Sequence, residues 1–357
     1  MDLEKLLLDV FHPEKDEYIL VMSDVPGPLV VDNSEWLDRR KMAQEWHVAF
    51  DKLSKRIGYS VLPLLNYEAT GGYHSDIPLT MGSPITLNEG LSKATLAVSF
   101  AEYSITSFLL NWTKNHDDSR VASLPLVSKK MEDTALSADY TEIKERCDII
   151  ANLMSSAIGA EITFSTGHSW YVDLRFRDLV IDDGQLPRNK KGTRVINLPS
   201  GEVCKTPYEG EKEGLKSNTR GQIPLMLDGE LTILTVDNNV IVDVVAKTKE
   251  HILKWKTYFS EDMARANIAE FAIGCNPKAV VWGNVLEDEK AGFHWAYGRS
   301  DFLGGTISPS RFNCQANVTH RDIVYSKETA VGVSNLDLLY ANGSREKILS
   351  DRRYVVF

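Results

Sequence analysis

A histidine and an aspartate stand two residues apart near the end of the chain. Residues 319–322 read T-H-R-D and precede IVYS, a pattern that predicts the start of a strand. Because alternate residues of a strand share a face, His320 and Asp322 would direct an imidazole and a carboxylate to one point. Such a pair can supply half of a metal site, although a surface His–Asp contact at a strand edge explains it equally well.

A carboxylate inside an apolar stretch is the second candidate ligand. Glu270 lies in IAEFAIGCNP, at the end of a pattern that predicts a helix around residues 261–272 and just before a Gly and Asn-Pro stop. Its apolar neighbours indicate partial burial, and a buried carboxylate needs a partner or a cation because an unpaired charge is costly to desolvate. Arg265 could be that partner.

Two further segments place acidic side chains beside turn residues. DEKAGFH sets Glu289 five residues before His294, and the compact AYG follows. A charged surface turn would explain DEK but not the H-W-A-Y-G run after it. In NLPSGEV, Glu202 follows a Pro-Ser-Gly turn at the head of a short apolar run. For the other histidines, which are isolated, structural roles suffice: His12, His47, His74, His116, His168 and His251.

The elements that must hold these residues change character near residue 155. Before it, short apolar runs and helical patterns alternate, which predicts a doubly wound α/β layer. Its strands are expected over residues 18–25, 59–65, 95–100 and 120–127, and its helices over 34–58, 104–115 and 141–157. After residue 155, period-two runs predict an antiparallel-rich α+β metal-binding domain: EITFST, WYVDLRF, TRVINLP, ELTILTV, NVIVDVVA and AVVWGNVL. We therefore predict two domains, 1–155 and 156–357.

Charge and cysteine content argue against several functions. The chain has 357 residues with 40 basic and 50 acidic side chains, a net charge of −10, so nucleic acid or an anionic membrane would meet its own sign. Four scattered cysteines without a CxxC pair fit a reducing compartment. The first residues lack the basic region of a signal peptide, and no apolar run approaches the roughly 18 residues of a membrane span. We expect a cytoplasmic protein without nucleic-acid or membrane partners.

Taken together and in their order, four segments resemble one enzyme family. They are NLPSGEVxxxP, E-F-x-x-G-x-N-P, D-E-K-x-x-x-H-x-A-x-G and H-x-D. This set resembles the thermophilic metalloprotease family of metal-dependent aminopeptidases, the aminopeptidase T and aminopeptidase S group. The resemblance is strongest over residues 162–324. It implies six metal ligands: Glu202, Glu270, Glu289, His294, His320 and Asp322.

The charges of this ligand set fit two divalent ions. Four carboxylates contribute −4, which two divalent cations balance, and two neutral imidazoles complete the set. Two ions about 3.5–4 Å apart can bind a hydroxide between them, lower the pKa of that water and polarise a carbonyl. Oxygen and imidazole ligands suit zinc, cobalt, manganese or iron. The resemblance thus implies a homodimeric aminopeptidase that removes N-terminal residues from small peptides or related amides.

The sequence departs from the family pattern beside the third motif. The family has a tyrosine seven residues after the motif histidine, and here that position is Asp301, while Tyr297 lies three residues after His294. Our candidate catalytic residues are therefore Glu202, Tyr297 and Asp301. Cys204 replaces a usual phenylalanine and is expected to be a small core residue.

Two other functions remain open. Iron-dependent 2,5-dihydroxypyridine ring-opening dioxygenases look like relatives of this family whose metal site is reduced to two histidines and an aspartate. In them a histidine replaces the glutamate of the second motif, and the equivalents of Glu202 and His294 are missing. This sequence retains Glu202, Glu270, Glu289 and His294, which favours a hydrolase. A non-catalytic metal-binding relative is the third interpretation.

Overall fold

The computed structural model describes residues 1–28, 30–72 and 77–357, so His74 lies outside the described residues. The helices in chain order are α1 (Leu3–Phe11), α2 (Ser34–Ile57), α3 (Leu87–Lys93), α4 (Thr106–Lys114), α5 (Tyr140–Ser155), α6 (Lys249–Glu261) and α7 (Val285–Asp288). The strands are β1 (Tyr18–Val25), β2 (Ser60–Val61), β3 (Leu65–Glu68), β4 (Leu96–Ala101), β5 (Arg120–Pro125), β6 (Ala157–Phe164), β7 (Ser169–Asp173), β8 (Val180–Asp182), β9 (Val195–Asn197), β10 (Glu202–Lys205), β11 (Arg220–Leu227), β12 (Glu230–Asp237), β13 (Val240–Val245), β14 (Ile268–Gly274), β15 (Phe293–Gly298), β16 (His320–Tyr325), β17 (Val333–Tyr340), β18 (Arg345–Ser350) and β19 (Arg353–Tyr354). Within the described residues, no helix combines the length and the apolar character needed to cross a bilayer.

These elements form two compact units that interleave along the sequence. The first unit comprises Met1–Glu145, Asp182–Gly201 and Asn276–Lys290, and the second comprises Arg146–Ile181, Glu202–Cys275 and Ala291–Phe357. The sequence predicts a single boundary near residue 155, whereas in the structure two later segments return to the first unit. The TRVINLP run shows why: it forms β9, which pairs in parallel with β5 of the first unit.

The first unit is built on a parallel sheet with strand order β2-β1-β4-β5-β9, in which β3 also pairs with β1. Helix α2 begins after Asn33, whose side chain accepts from the Trp36 backbone N–H, and ends at Gly58 in the left-handed region. Of the predicted strand over residues 59–65, only Ser60–Val61 form β2; β3 begins at Leu65, and Pro63 between them cannot donate to a ladder. The predicted α/β layer is confirmed.

The second unit contains two antiparallel sheets. One has eight strands in the order β13-β12-β11-β7-β6-β17-β18-β19, and the other has five in the order β16-β15-β14-β10-β8. We call the five-stranded sheet the site sheet. Ring contacts join its inner face to the larger sheet: Trp295 lies 5.6 Å from Trp170, and Tyr325 lies 5.2 Å from Phe164. The predicted antiparallel-rich α+β half is therefore confirmed. The aromatic side chains of the site sheet face the larger sheet, so polar side chains can occupy the opposite face of the site sheet.

Two elements differ from the sequence-based prediction. The helix predicted around residues 261–272 is wrong: α6 ends at Glu261, a 3-10 turn follows, and residues 268–274 form the fully buried strand β14. A short apolar run fits a buried strand as well as a helix, so periodicity could not distinguish them. The strand predicted for AVVWGNVL is also wrong, because Asn284 accepts from the Leu286 backbone N–H and starts α7.

Candidate metal centre

The register of the site sheet aligns ligand residues from neighbouring strands on one face. Glu270 of β14 lies opposite Ala296 of β15, which lies opposite Asp322 of β16. Two residues further along β14, Ala272 lies opposite His294 of β15. Directly opposed residues of an antiparallel pair share a face, so the two carboxylates and the imidazole project to the same side.

Glu202 and His320 complete this face from its flanking strands. Glu202 begins β10 opposite Gly274, and His320 begins β16 opposite Gly298. Gly298 has a φ of +107°, and a Cβ there would collide with the carbonyl oxygen of Thr319. Alanine and glycine between the ligands therefore form a floor without bulky side chains. We call Glu202, Glu270, His294, His320 and Asp322 the ligand cluster.

A bulge in β14 turns Glu270 toward this face. Ile268 lies opposite Tyr297, yet Glu270 lies opposite Ala296, so one extra residue of β14 is accommodated between them. Without the bulge, Ile268 and Glu270 would share a face. With it, Ile268 enters the core and Glu270 joins the ligand cluster.

Glu270 is central to the ligand cluster. Its Oε2 lies 3.0 Å from His320 Nε2, and its Oε1 lies 3.9 Å from His294 Nε2. His294 Nε2 is 3.6 Å from Glu202 Oε2, and His320 Nε2 is 3.4 Å from Asp322 Oδ1. Glu270, His294 and Asp322 each offer one ligand atom, and these atoms lie within 4.8 Å of one another. This spacing suits coordination of a cation.

Backbone carbonyls orient both imidazoles. His294 Nδ1 lies 3.3 Å from the Gly292 carbonyl oxygen, and His320 Nδ1 lies 2.7 Å from that of Arg299. A carbonyl only accepts, so each Nδ1 donates and each Nε2 points to the carboxylates. This is the arrangement that metal-binding histidines adopt.

The electrostatics of the ligand cluster favour positive charge. Burial lowers the pKa of His320, but the neighbouring Asp322 and Glu270 carboxylates outweigh it and raise that pKa well above its ordinary value. Three carboxylates and two imidazoles without a thiolate form a donor set that suits zinc, cobalt, manganese or iron. The residues therefore fit a divalent ion.

The remaining predicted ligand, Glu289, belongs to the first unit. It follows α7, and its Oε1 lies 2.7 Å from Nζ of the fully buried Lys290. Lys290 Nζ is also 3.5 Å from Asp182 Oδ2. An ion pair within its own unit thus orients the Glu289 carboxylate, and its role as a ligand stays a prediction.

The other candidate catalytic residues lie in different surroundings. Tyr297 is fully buried on the opposite face of β15 from His294, with its ring 5.4 Å from that of Phe259. The structure does not bring Tyr297 to the ligand cluster. Asp301 Oδ1 accepts from Arg299 Nε at 2.5 Å, so the Asp301 carboxylate is paired with the Arg299 side chain, whereas His320 bonds the backbone carbonyl of that residue.

Two contacts of the cluster were not predicted from the sequence. The Arg299 carbonyl carries no residue-type signal, because any residue provides the same group. Phe302 packs edge-on against the His320 ring with centroids 5.0 Å apart. The compact A-Y-G run was the one available signal for the small-residue floor.

The floor gives a direct test of the site. In Ala296→Leu, the added side chain would fill the space between Glu270 and Asp322, and we expect affinity for Mn²⁺ to fall by at least about tenfold, or 1.4 kcal/mol. Ala160→Leu is the control, because Ala160 is equally buried in the larger sheet and overpacking costs about 1–3 kcal/mol at either position. Isothermal titration calorimetry measures the Mn²⁺ affinity of the two variants. Equal affinities in the two variants would exclude an ion above Ala296.

Comparison with known proteins supports the fold. No known protein-family model matches the sequence, and no curated protein matches it. Among solved structures, the 2,5-dihydroxypyridine dioxygenase from Pseudomonas putida KT2440 aligns with a TM-score of 0.67 at 14% identity, covering 99% of this chain and 96% of that one. Wild-type AmpT from Thermus thermophilus aligns with a TM-score of 0.61 at 15% identity, covering 99% and 98%. The chain shares the fold of these proteins over its whole length.

Proposed function

We propose that this protein is a metal-dependent hydrolase, and specifically an aminopeptidase that acts on small peptides or related amides. Two divalent ions would be held by the ligand cluster, Glu202, Glu270, His294, His320 and Asp322, to which the family resemblance adds Glu289. The observation that carries the proposal is the alignment of the ligand cluster on one face of the site sheet. Homodimerisation belongs to the same proposal, and gel filtration measures it.

The residues of the cluster have distinct tasks in this reaction. When bound, divalent ions lower the pKa of a water molecule and polarise an amide carbonyl. His294 and His320 present Nε2 in fixed orientations because carbonyl oxygens hold their Nδ1 atoms. Glu202, with Oε2 3.6 Å from His294 Nε2, would supply a carboxylate oxygen on the same side of the sheet as the two imidazoles.

The two structural neighbours support different chemistries at the level of fold. AmpT corresponds to the aminopeptidases that the sequence resembles, and the Pseudomonas protein is a dioxygenase, which makes ring opening with one iron the second candidate function. The number of carboxylates favours hydrolysis. Glu202 and Glu270 both lie within 4 Å of His294, whereas the resemblance implies that the dioxygenase site has two histidines and one aspartate.

Metal content and amine release test this proposal. We expect about two divalent ions per chain, as in other two-metal hydrolases, measured by mass spectrometry of the purified protein. We also expect amine release from aminoacyl amides, short peptides or N-acyl and cyclic amides after addition of cobalt, zinc or manganese. One iron per chain with no amine release would favour the dioxygenase instead.

A further inference from the structure

A buried carboxylate outside the ligand cluster organises the loop beside His320. The side chain of Glu209, which lies shortly after β10, is 5% exposed. Its Oε1 accepts from Asn267 Nδ2 at 3.0 Å and Ser300 Oγ at 2.5 Å. Its Oε2 accepts from the Thr306 backbone N–H at 2.6 Å and from Thr306 Oγ1 at 2.7 Å. Arg177 Nη2 lies 3.5 Å away. A carboxylate buried this deeply requires such a set of donors.

These bonds fix the chain on both sides of Arg299. Ser300, which Glu209 binds directly, is the next residue. Asn267 Nδ2 donates to Glu209 and also to the carbonyl oxygen of Gly298, at 3.0 Å in each case, and Gly298 is the preceding residue. Glu209 therefore binds one neighbour of Arg299 directly and the other through Asn267, in addition to the backbone bonds from the Arg299 N–H to the Thr319 carbonyl at 2.7 Å and from the Ser300 N–H to the Ile307 carbonyl at 2.9 Å.

The same carbonyl sets the orientation of His320. It accepts from His320 Nδ1 at 2.7 Å, which turns Nε2 toward Glu270 and Asp322. An imidazole released from that acceptor could rotate about its side-chain torsions and carry Nε2 away from the carboxylates. Outer partners that orient metal-binding histidines typically contribute about 10–100-fold to metal affinity.

We propose that Glu209 is a positioning residue for His320, acting through the Ser300 and Asn267 bonds that fix the Arg299 carbonyl. The orientation of the imidazole is a property of the chain itself. Its consequence for metal affinity rests on the proposed function.

A matched control exists in the same unit. Glu230 also accepts from the backbone N–H of a threonine, Thr248, at 2.6 Å and from its Oγ1 at 2.8 Å. That clamp lies at the start of α6. Glu230→Gln therefore reports the effect of losing a Glu–Thr clamp as such, whereas Glu209→Gln also loosens the peptide next to His320.

The first measurement uses metal-free protein labelled with ¹⁵N-histidine. The Nδ1 proton of His320, assigned with His320→Gln, should give a slowly exchanging resonance in the wild type and in Glu230→Gln. We expect this resonance to shift or vanish in Glu209→Gln. An unchanged Nδ1 resonance in Glu209→Gln would overturn the proposal.

The second measurement is Mn²⁺ affinity from chelator competition. Glu209→Gln should weaken binding by about 10–100-fold, and Glu230→Gln by less than about twofold. Equal losses in both variants would show that Glu209 acts only on stability. Absence of Mn²⁺ binding in the wild type would overturn the proposed function, while the resonance of the metal-free protein would still decide the role of Glu209.

Discussion

Replacing Glu270 by glutamine should abolish divalent metal binding and turnover together. Each carboxylate oxygen of Glu270 lies near one histidine: Oε1 is 3.9 Å from His294 Nε2, and Oε2 is 3.0 Å from His320 Nε2. Glutamine keeps the size of the side chain, but it removes the negative charge and puts an amide nitrogen, which cannot coordinate, in place of one oxygen. We expect affinity to fall by more than about 100-fold, beyond the usual effect of outer partners.

Thermal unfolding with and without Mn²⁺ measures this loss without an activity assay. A ligand at 100 times its Kd stabilises a folded protein by about 2.7 kcal/mol, so the wild type should show that stabilisation and Glu270→Gln almost none. Glu161→Gln is the control, since Glu161 lies on β6 and pairs with Arg345 at the surface. Full stabilisation of Glu270→Gln by Mn²⁺ would show that the centre is not built around this carboxylate.

The candidate ligands could be named from the sequence because short motifs contain them locally. His320 and Asp322 stand two apart on a strand, as their spacing predicts, and β16 begins at His320. The placement of Glu270 could not be predicted in the same way. Its orientation depends on a bulge in β14 whose position is defined only against β15, and that pairing is not encoded within either segment.

The fold shows the same division between local and long-range information. Strands β1, β4 and β5 were predicted from apolar runs that are buried on both faces of a parallel sheet. The parallel pairing of β9 with β5 was not predicted. A strand of three residues has no period that distinguishes parallel from antiparallel pairing. The hydrogen bonds of Glu209 were also beyond prediction, since their donors Asn267, Ser300 and Thr306 lie between 58 and 97 residues away along the chain.

Replacing Arg120 by methionine should destabilise the first unit strongly. Arg120 and Glu17 are both fully buried, and Arg120 Nη2 lies 3.1 Å from Glu17 Oε2. Arg120 also donates to the carbonyl oxygens of Leu186 and Phe11, at 2.7 Å and 3.0 Å. Removing one partner of a buried pair leaves an uncompensated charge, so we expect the free energy of unfolding to fall by about 3–5 kcal/mol.

The pKa of Glu17 determines how the destabilisation in Arg120→Met should change with pH. Burial raises the pKa of Glu17, but its hydrogen bond to Arg120 and the Arg120 charge outweigh burial and hold that pKa below its ordinary value of 4.5. The stability from the ionised carboxylate is thus present above about pH 4.5 and is lost as the pH falls through the lowered pKa. In Arg120→Met burial is opposed only by the weaker influence of the hydrogen bonds from the Glu14 backbone N–H and Thr95 Oγ1, so the pKa of Glu17 should rise and the neutral form should be favoured.

The deficit of Arg120→Met relative to the wild type should therefore be largest at pH 7 and should shrink toward pH 4. Urea unfolding at both values measures it. Adding Glu17→Gln to Arg120→Met removes the buried charge and should restore part of the loss, because a neutral amide is less costly to bury than a carboxylate. A deficit that is independent of pH and unaffected by Glu17→Gln would instead assign the destabilisation to the lost hydrogen bonds with Leu186 and Phe11.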